Sequence, residues 1–286
     1  MENILTSPWC WLQGTVPGLE GVQFWIAFLF CATYAVAVVG NITLLHVIRI
    51  DHTLHKPMYL FLAMLPIADL VLSSSSQPKV LAIFWFHAHE IKYHACLIQV
   101  FFIHAFSFME PGVLMAMALD RYVAICFPLR HYVISKIAVA VLLRSVGTLL
   151  PVPLLIKRLA CADISVNSIY GLLAVIFIIV LDALILLASY ILILHAVLNI
   201  ASQEERLKAL NTCLSHICAR LLFYVPLMCM TLIHRYGKHL SPLIHTFMAN
   251  IYLLFPPVLN PIVYSVTIKQ IQWRIVQAFC GARVSP

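Results

Sequence analysis

The sequence predicts an all-α membrane protein, a bundle of seven transmembrane helices followed by a short amphipathic C-terminal helix. Three observations predict it. Of 286 residues, 63% are hydrophobic and only 10% charged, against roughly 25% charged in an ordinary soluble domain. Seven stretches are long and apolar enough to cross a hydrocarbon core about 30 Å thick. Lys and Arg gather on one side of that series. A mean hydropathy of +0.97 with nine glycines excludes disorder, collagen-like repeats and a secreted disulfide scaffold.

The tail, residues 1–23, carries Glu2 and no Lys or Arg among its first twenty residues, so it does not read as a secretory signal peptide. The apolar stretches follow at 24–48, 58–83, 93–126, 137–156, 168–199, 209–233 and 242–266, which together make a single transmembrane unit over 24–266. The third and fifth exceed a minimal span, which implies tilt or extension past the bilayer. Interior prolines (Pro66, Pro151, Pro153, Pro226, Pro256, Pro257, Pro261) predict kinks, tolerated where neighbouring helices satisfy the freed backbone groups. In the cytoplasmic segment 267–286, Ile271, Ile275 and Phe279 recur at four-residue spacing between polar residues, which predicts an amphipathic helix on the inner leaflet. Cys280 at its end is open to palmitoylation or remains a plain thiol.

Ten Lys and Arg fall on the side of Arg49, Arg121, Lys208 and Lys269, and six on the side of Lys79, Lys92, Lys157 and Arg235. That bias puts the N-terminus outside and the C-terminus in the cytosol. The cysteines are scattered through apolar segments without metal-ligand spacing, and no metal site is expected from them or from His87, His89 and His94.

An ionisable residue inside a spanning helix costs about 2.5–3.5 kcal/mol on insertion scales, so each one needs a reason. Asp69, Glu110, Arg144, Asp182 and Arg220 all qualify. Asp69 lies eleven residues above Met58, and Glu110 eleven above Arg121. At 1.5 Å per residue both sit about 16 Å up, near mid-bilayer. Asn41 and Asn260 come out at about 12–14 Å by the same arithmetic. Four polar side chains from the first, second, third and seventh helices are therefore expected in one layer. Two acids that close require a cation or a proton between them, so the layer reads either as a sodium or proton site or as a hydrogen-bonded polar core. At the inner end of the third helix, Asp120, Arg121 and Tyr122 read as a two-state element, with simple interfacial snorkelling as the plainer alternative.

These residues carry a resemblance. Asp120-Arg121-Tyr122 and Asn260-Pro261-Ile262-Val263-Tyr264 resemble the rhodopsin-like G-protein-coupled receptors. Leu54-His55-Lys56-Pro57-Met58-Tyr59, the run Met115 to Cys126, Ser189-Tyr190 and Lys208-Ala209-Leu210-Asn211-Thr212-Cys213 are similar to the signatures of olfactory receptors. Phe84-Trp85-Phe86-His87, Phe102-Ile103-His104 and His234-Arg235-Tyr236-Gly237 resemble the class I branch, whose usual ligands are small carboxylic acids and other polar volatiles.

The resemblance implies a non-enzymatic, odorant-activated receptor in the plasma membrane, coupled to a stimulatory olfactory-type heterotrimeric G protein. It implies no nucleic-acid partner and no cofactor beyond the sodium ion or proton at Asp69 and Glu110. It assigns Asp120, Arg121, Tyr122, Tyr190 and Tyr264 to activation and coupling, and Asn41, Asp69, Glu110 and Asn260 to the ion-linked layer.

For the ligand, a carboxylate entering a low-dielectric pocket needs a cation or several donors. Arg235, at the outer end of the sixth helix, has the bidentate fork. Thr231 lies one turn below it, and His104 lies about 12 Å below Cys96. Arg235 is the expected anchor with His104 and Thr231 orienting the ligand; the plainer reading is a solvated arginine and a core histidine.

Several features depart from the family pattern. The connection between the fourth and fifth helices is only about residues 157–167, and the second inner loop, 127–136, also looks short. Cys96 stands where the family's third-helix cysteine does, and Cys161 is the cysteine of the short connection available to bridge it. The sequon Asn41-Ile42-Thr43 falls inside the first helix, and Arg220 falls mid-helix where the family is apolar. The competing readings are a proton-linked transporter, against which the lack of an inverted repeat argues, and a non-signalling chain retained in the endoplasmic reticulum.

Overall fold

The computed structural model describes residues 20–51, 57–86, 93–126, 203–237, 240 and 242–280, with eight single positions between 176 and 195. All the regular structure among them is helical: α1 (Glu20–Ile50), α2 (Pro57–Phe86), α3 (Tyr93–Cys126), α4 (Gln203–Tyr236), α5 (Pro242–Thr267) and α6 (Lys269–Cys280). These are the first three, the sixth and the seventh of the expected spans, and the amphipathic C-terminal helix. Ile176, Val180, Ala183, Leu184, Leu187, Ala188, Ile191 and His195 are helical and exposed, and their three- and four-residue intervals trace one outward face of the fifth span.

Four of the described helices are long and apolar enough to cross a membrane: Phe24–Ile50, Met58–Phe86, Ile98–Asp120 and Phe247–Val266. In α4 only Arg220–Ile233 is comparably apolar. Its helix begins at Gln203, six residues before the expected span, because Glu204, Glu205, Arg206 and Lys208 are good helix formers that need no lipid contact. α2 runs to Phe86, three residues past the expected span.

α2 lies between α1 and α3, and α5 packs against α1, α2 and α4, with α3 touching α4. The main core joins Leu44, Phe61, Leu62, Leu65, Val113, Met117 and Tyr264 from four helices, with Ile271 of α6 sealed beneath it. Outward, Trp25, Phe28, Val36 and Val39 of α1 are exposed apolar side chains, the surface that a lipid solvent requires.

The prolines explain how the spans close on one another. Pro261 has no N–H, so the carbonyl four residues back, on Pro257, loses its helical donor. Asn41 Nδ2 of α1 supplies the missing hydrogen bond at 2.8 Å and also donates to Ala37 O at 2.9 Å. The neighbouring Gly40 lets the ring of Pro261 approach, since a Cβ there would stand 3.3 Å from Pro261 Cβ and 3.4 Å from its Cγ. Around Pro78, whose missing N–H opens a turn of α2, Gln99 of α3 donates to Ser75 O at 3.0 Å.

The run Ser73–Ser76 sits in an apolar helix without penalty, because its hydroxyls are satisfied locally or by a neighbour. Ser73, Ser75 and Ser76 donate to the carbonyls of Asp69, Val71 and Leu72 at 2.7, 2.6 and 3.0 Å. Ser74 meets the hydroxyl of Tyr34 across the α1–α2 contact at 3.1 Å.

At the inner end, Ile268 interrupts the helix and α6 turns away. Arg274 Nε donates to Asp51 Oδ2 at 2.6 Å, Arg274 Nη1 donates to Gln277 Oε1 at 3.1 Å, and Tyr59 donates to Gln270. Ile271 is fully buried and Ile275 packs on the core, which is the apolar face that the four-residue spacing predicts. α4 ends at Gly237, whose N–H bonds Ile233 O at 2.8 Å; a Cβ there would lie 2.5 Å from that same oxygen.

Gly40→Leu is expected to push α1 off α5 and cost about 1–3 kcal/mol, read as a lower Tm of the detergent-purified protein. Gly40→Ala should stay close to wild type, because its single methyl asks Pro261 to give by only a few tenths of an ångström.

Candidate functional site: a buried acidic layer under an outer polar wall

The polar layer is built by α2, α3 and α5. Asp69 is fully buried, and Glu110 and Asn260 are 2% and 6% exposed. Asn260 Nδ2 reaches both oxygens of Asp69, at 3.3 and 3.2 Å. Asp69 and Glu110 neighbour each other in this layer. Two buried carboxyl groups that close call for a proton or a cation between them.

Local sequence explains why these groups point inward. On α2, Asp69 lies one turn from Leu65 and from Ser73, both fully buried, so a single inward stripe carries all three. On α3, Glu110 is flanked by the buried Met109, Val113 and Leu114, and the missing N–H of Pro111 loosens the turn beside it. On α5, Asn260 precedes Pro261, the residue held against α1.

Glu110 Oε1 is buried with no hydrogen-bond partner. An acceptor of that kind beside a second carboxyl is the sort of oxygen donor a hard, oxygen-seeking cation takes. The residues present therefore fit a sodium ion, and equally fit the proton already implied.

Asn41 departs from the expected layer in one respect. It is fully buried near the same depth, but its amide goes to the backbone of α1 and α5 rather than to the acids. The physical reason is the carbonyl that Pro261 frees.

Thr231 is half-buried on α4 and its hydroxyl donates to Leu227 O at 2.8 Å, which leaves its lone pairs to receive a donor. His104 and Arg235 lie in α3 and α4, and Arg121 and Tyr122 lie near the inner end of α3; the side chains of all four fall outside the described residues. Tyr190, Cys161, Arg144 and Asp182 also fall outside them. Cys96 is buried and disulfide-bonded, with its partner outside the described residues. Asp120 and Tyr264 are both buried, Tyr264 within the main core. Arg220 is 3% exposed and so turns into the bundle rather than toward lipid.

The spacing arithmetic missed a second polar contact. Gln77 of α2 is fully buried and donates from Nε2 to Asn250 Oδ1 of α5 at 3.1 Å. The signal was present: Asp69, Ser73, Ser76 and Gln77 fall at i, i+4, i+7 and i+8, one face of a helix.

Comparison with known proteins gives the same picture of the chain. The olfactory receptor family model matches residues 30–160 and 155–282. Olfactory receptor 52R1 of Homo sapiens is 55% identical over 306 residues, 98% of this chain and 97% of the relative. Olfactory receptor 51L1 of Homo sapiens is 51% identical over 291 residues, 92% of each chain. Olfactory receptor 52K2 of Homo sapiens is 49% identical over 303 residues, 96% of each chain. In the first of these, 98% of 286 residues is about 280, so about 26 of the 306 aligned positions have no residue in this chain. The two family matches meet at 155–160, beside the short connection at 157–167.

Asn260→Ala removes both hydrogen bonds to Asp69. The expected loss is about 1–3 kcal/mol, read as a lower Tm of the purified protein; an unchanged Tm would mean that those bonds contribute nothing net.

Proposed function

The chain belongs to the olfactory receptor family, odorant-activated G-protein-coupled receptors without enzymatic activity, and on that premise we propose that it answers small carboxylic acids or similar polar volatiles through a stimulatory olfactory-type G protein. The observation that carries this reading is the buried acidic layer, in which Asp69, Glu110 and Asn260 join α2, α3 and α5 at one level. A layer tied together by one proton or one ion is an element with two arrangements, which a ligand-driven switch needs.

In this reading Arg235 anchors the carboxylate, with His104 and Thr231 orienting it. An arginine suits that task because its planar fork gives two parallel charge-assisted bonds to one carboxylate. Ligand enters from outside, with the N-terminus on that face and the protein in the plasma membrane. Helix α4 then swings outward at its inner end. Arg121, beside Asp120 and Tyr122, meets the G protein, while Tyr190 and Tyr264 rearrange the inner face.

Asp69 and Glu110 would hold a sodium ion or a proton, which would neutralise the second carboxylate and favour the closed, resting layer. Replacing sodium with choline is then expected to raise basal nucleotide exchange, and Glu110→Gln to remove that sensitivity. Equal basal exchange in both salts would count against the ion.

Arg235→Ala is expected to lower the potency of carboxylic acids by at least ~30-fold, about 2 kcal/mol of a desolvated charge pair, at unchanged surface level. The measurement is ligand-stimulated nucleotide exchange normalised to surface staining of intact cells. A normal dose–response curve would refute the anchor. A chain that never reaches the surface would favour the retained, non-signalling reading that the short connection raises.

A further inference from the structure

α1 carries one polar side chain that the packing of the bundle leaves unexplained. Its outward face is apolar through Val36, Val39 and Ile42, and Ile50 closes it. His46 falls in that stripe, four residues after Ile42 and four before Ile50, and is exposed like both of them. An imidazole on a lipid-facing surface is unfavourable unless something there takes its N–H.

Helix length places it. The apolar part of α1, Phe24–Ile50, has 27 residues. At 1.5 Å each that is about 40 Å, against a hydrocarbon core of about 30 Å, so a centred helix overshoots by about 5 Å at each end. His46 lies four residues, about 6 Å, from the end of α1 on the α6 side. That is the boundary where hydrocarbon gives way to glycerol and phosphate. Arg49 follows three residues on and is also exposed, which makes the two side chains neighbours on the helix surface, their Cβ atoms about 5–6 Å apart.

Both donors are uncommitted. Among the described residues neither side chain has a hydrogen bond or an ion pair. Asp51, two residues beyond Arg49, is buried and held by Arg274 Nε at 2.6 Å. The charge of Arg274 is therefore balanced and that of Arg49 is not. Lys269, at the start of α6, is exposed and without an ion pair among the described residues, so this end of the bundle presents a positive field. A helix C-terminus and snorkelling account for Arg49 by themselves. They do not account for His46, a shorter side chain set one turn deeper.

A phosphodiester answers both. Its two free oxygens accept one N–H from the imidazole, which has one to give in either protonation state, and two from the guanidinium fork. A headgroup with net negative charge gains further from the unbalanced Arg49 and Lys269, whereas the cationic part of a zwitterionic headgroup opposes the same field.

We propose that His46 and Arg49 form a headgroup site on the lipid face of α1 for an anionic glycerophospholipid in the leaflet on the α6 side. His46 takes the phosphate from the hydrocarbon side and Arg49 from the aqueous side, while the acyl chains lie along Ile42 and Val39. The site is separate from the acidic layer and does not depend on which odorant the receptor answers.

The test is native mass spectrometry of the detergent-purified full chain, titrated with dioleoyl-phosphatidylserine, with dioleoyl-phosphatidylcholine, or with soluble glycerophosphoserine. Wild type should hold phosphatidylserine at least about fivefold more tightly than phosphatidylcholine, and should leave glycerophosphoserine unbound. His46→Leu suits a lipid-facing surface and should fold with an unchanged or higher Tm. It is expected to lower phosphatidylserine affinity by about threefold or more, while His46→Gln, which keeps an N–H, retains most of it. Arg49→Gln should cost about fivefold and shrink the preference between the two lipids. Should His46→Leu not purify, His46→Phe reads the same loss. Equal wild-type affinity for the two lipids overturns the proposal. Wild-type affinity in His46→Leu overturns it too, since only the general attraction of basic residues for anionic lipid would then remain. Glycerophosphoserine bound as tightly as the lipid also overturns it, because the occupant would be a soluble phosphate compound rather than a component of the bilayer.

Discussion

One hydrogen bond carries more of this architecture than its length suggests. Pro261 deprives the Pro257 carbonyl of its helical donor, and Asn41 restores it at 2.8 Å from the first helix. In hydrocarbon an unsatisfied carbonyl costs several kcal/mol, so the repair fixes both the separation and the rotation of α1 against α5. Gly40 allows it by keeping its own side chain out of the way of the Pro261 ring. Once α5 is set, Asn260 faces Asp69, and Asp69 in turn faces Glu110. The acidic layer is thus downstream of a backbone defect in one helix and an amide in another. Order at that end of the bundle follows from the same docking, because α6 continues from α5 and is clamped to the end of α1 through Asp51 and Arg274.

Much of this was legible in the sequence, and the parts that were not share a cause. Apolar run length found the spans because lipid imposes a single requirement on every crossing. Depth arithmetic placed Asp69, Glu110 and Asn260 at one height because helical rise is nearly constant. Rotation about the helix axis is a different quantity, and height says nothing about it. That is why Asn41, at nearly the right depth, turned out to serve a backbone carbonyl, and why Gln77 and Asn250, 173 residues apart, went unpaired. The inner extension of α4 was missed because its charged residues are good helix formers beyond the reach of lipid.

The outer half and the acidic layer differ in how their polar groups are satisfied. In the serine run of α2, the hydroxyls of Ser73, Ser75 and Ser76 turn back on their own helix and leave little to trade with a ligand or an ion. In the layer and at Gln77, side chains reach across to another helix and leave single acceptors, Glu110 Oε1 and Gln77 Oε1, with no protein donor. The first arrangement costs little and is inert. The second is costly, because each such acceptor is buried without a protein donor.

The partnership of Asn41 with Pro257 spans 216 residues of chain. Synthesis runs from the N-terminus, so the first span enters the lipid long before the carbonyl it is shaped to meet has been made. Until the last span arrives, the Asn41 amide lacks its Pro257 partner and Asp69 lacks Asn260. The first three spans can pack through Tyr34–Ser74 and Gln99–Ser75 as they are made, but the Asn41 and Asn260 bonds close only when α5 is added.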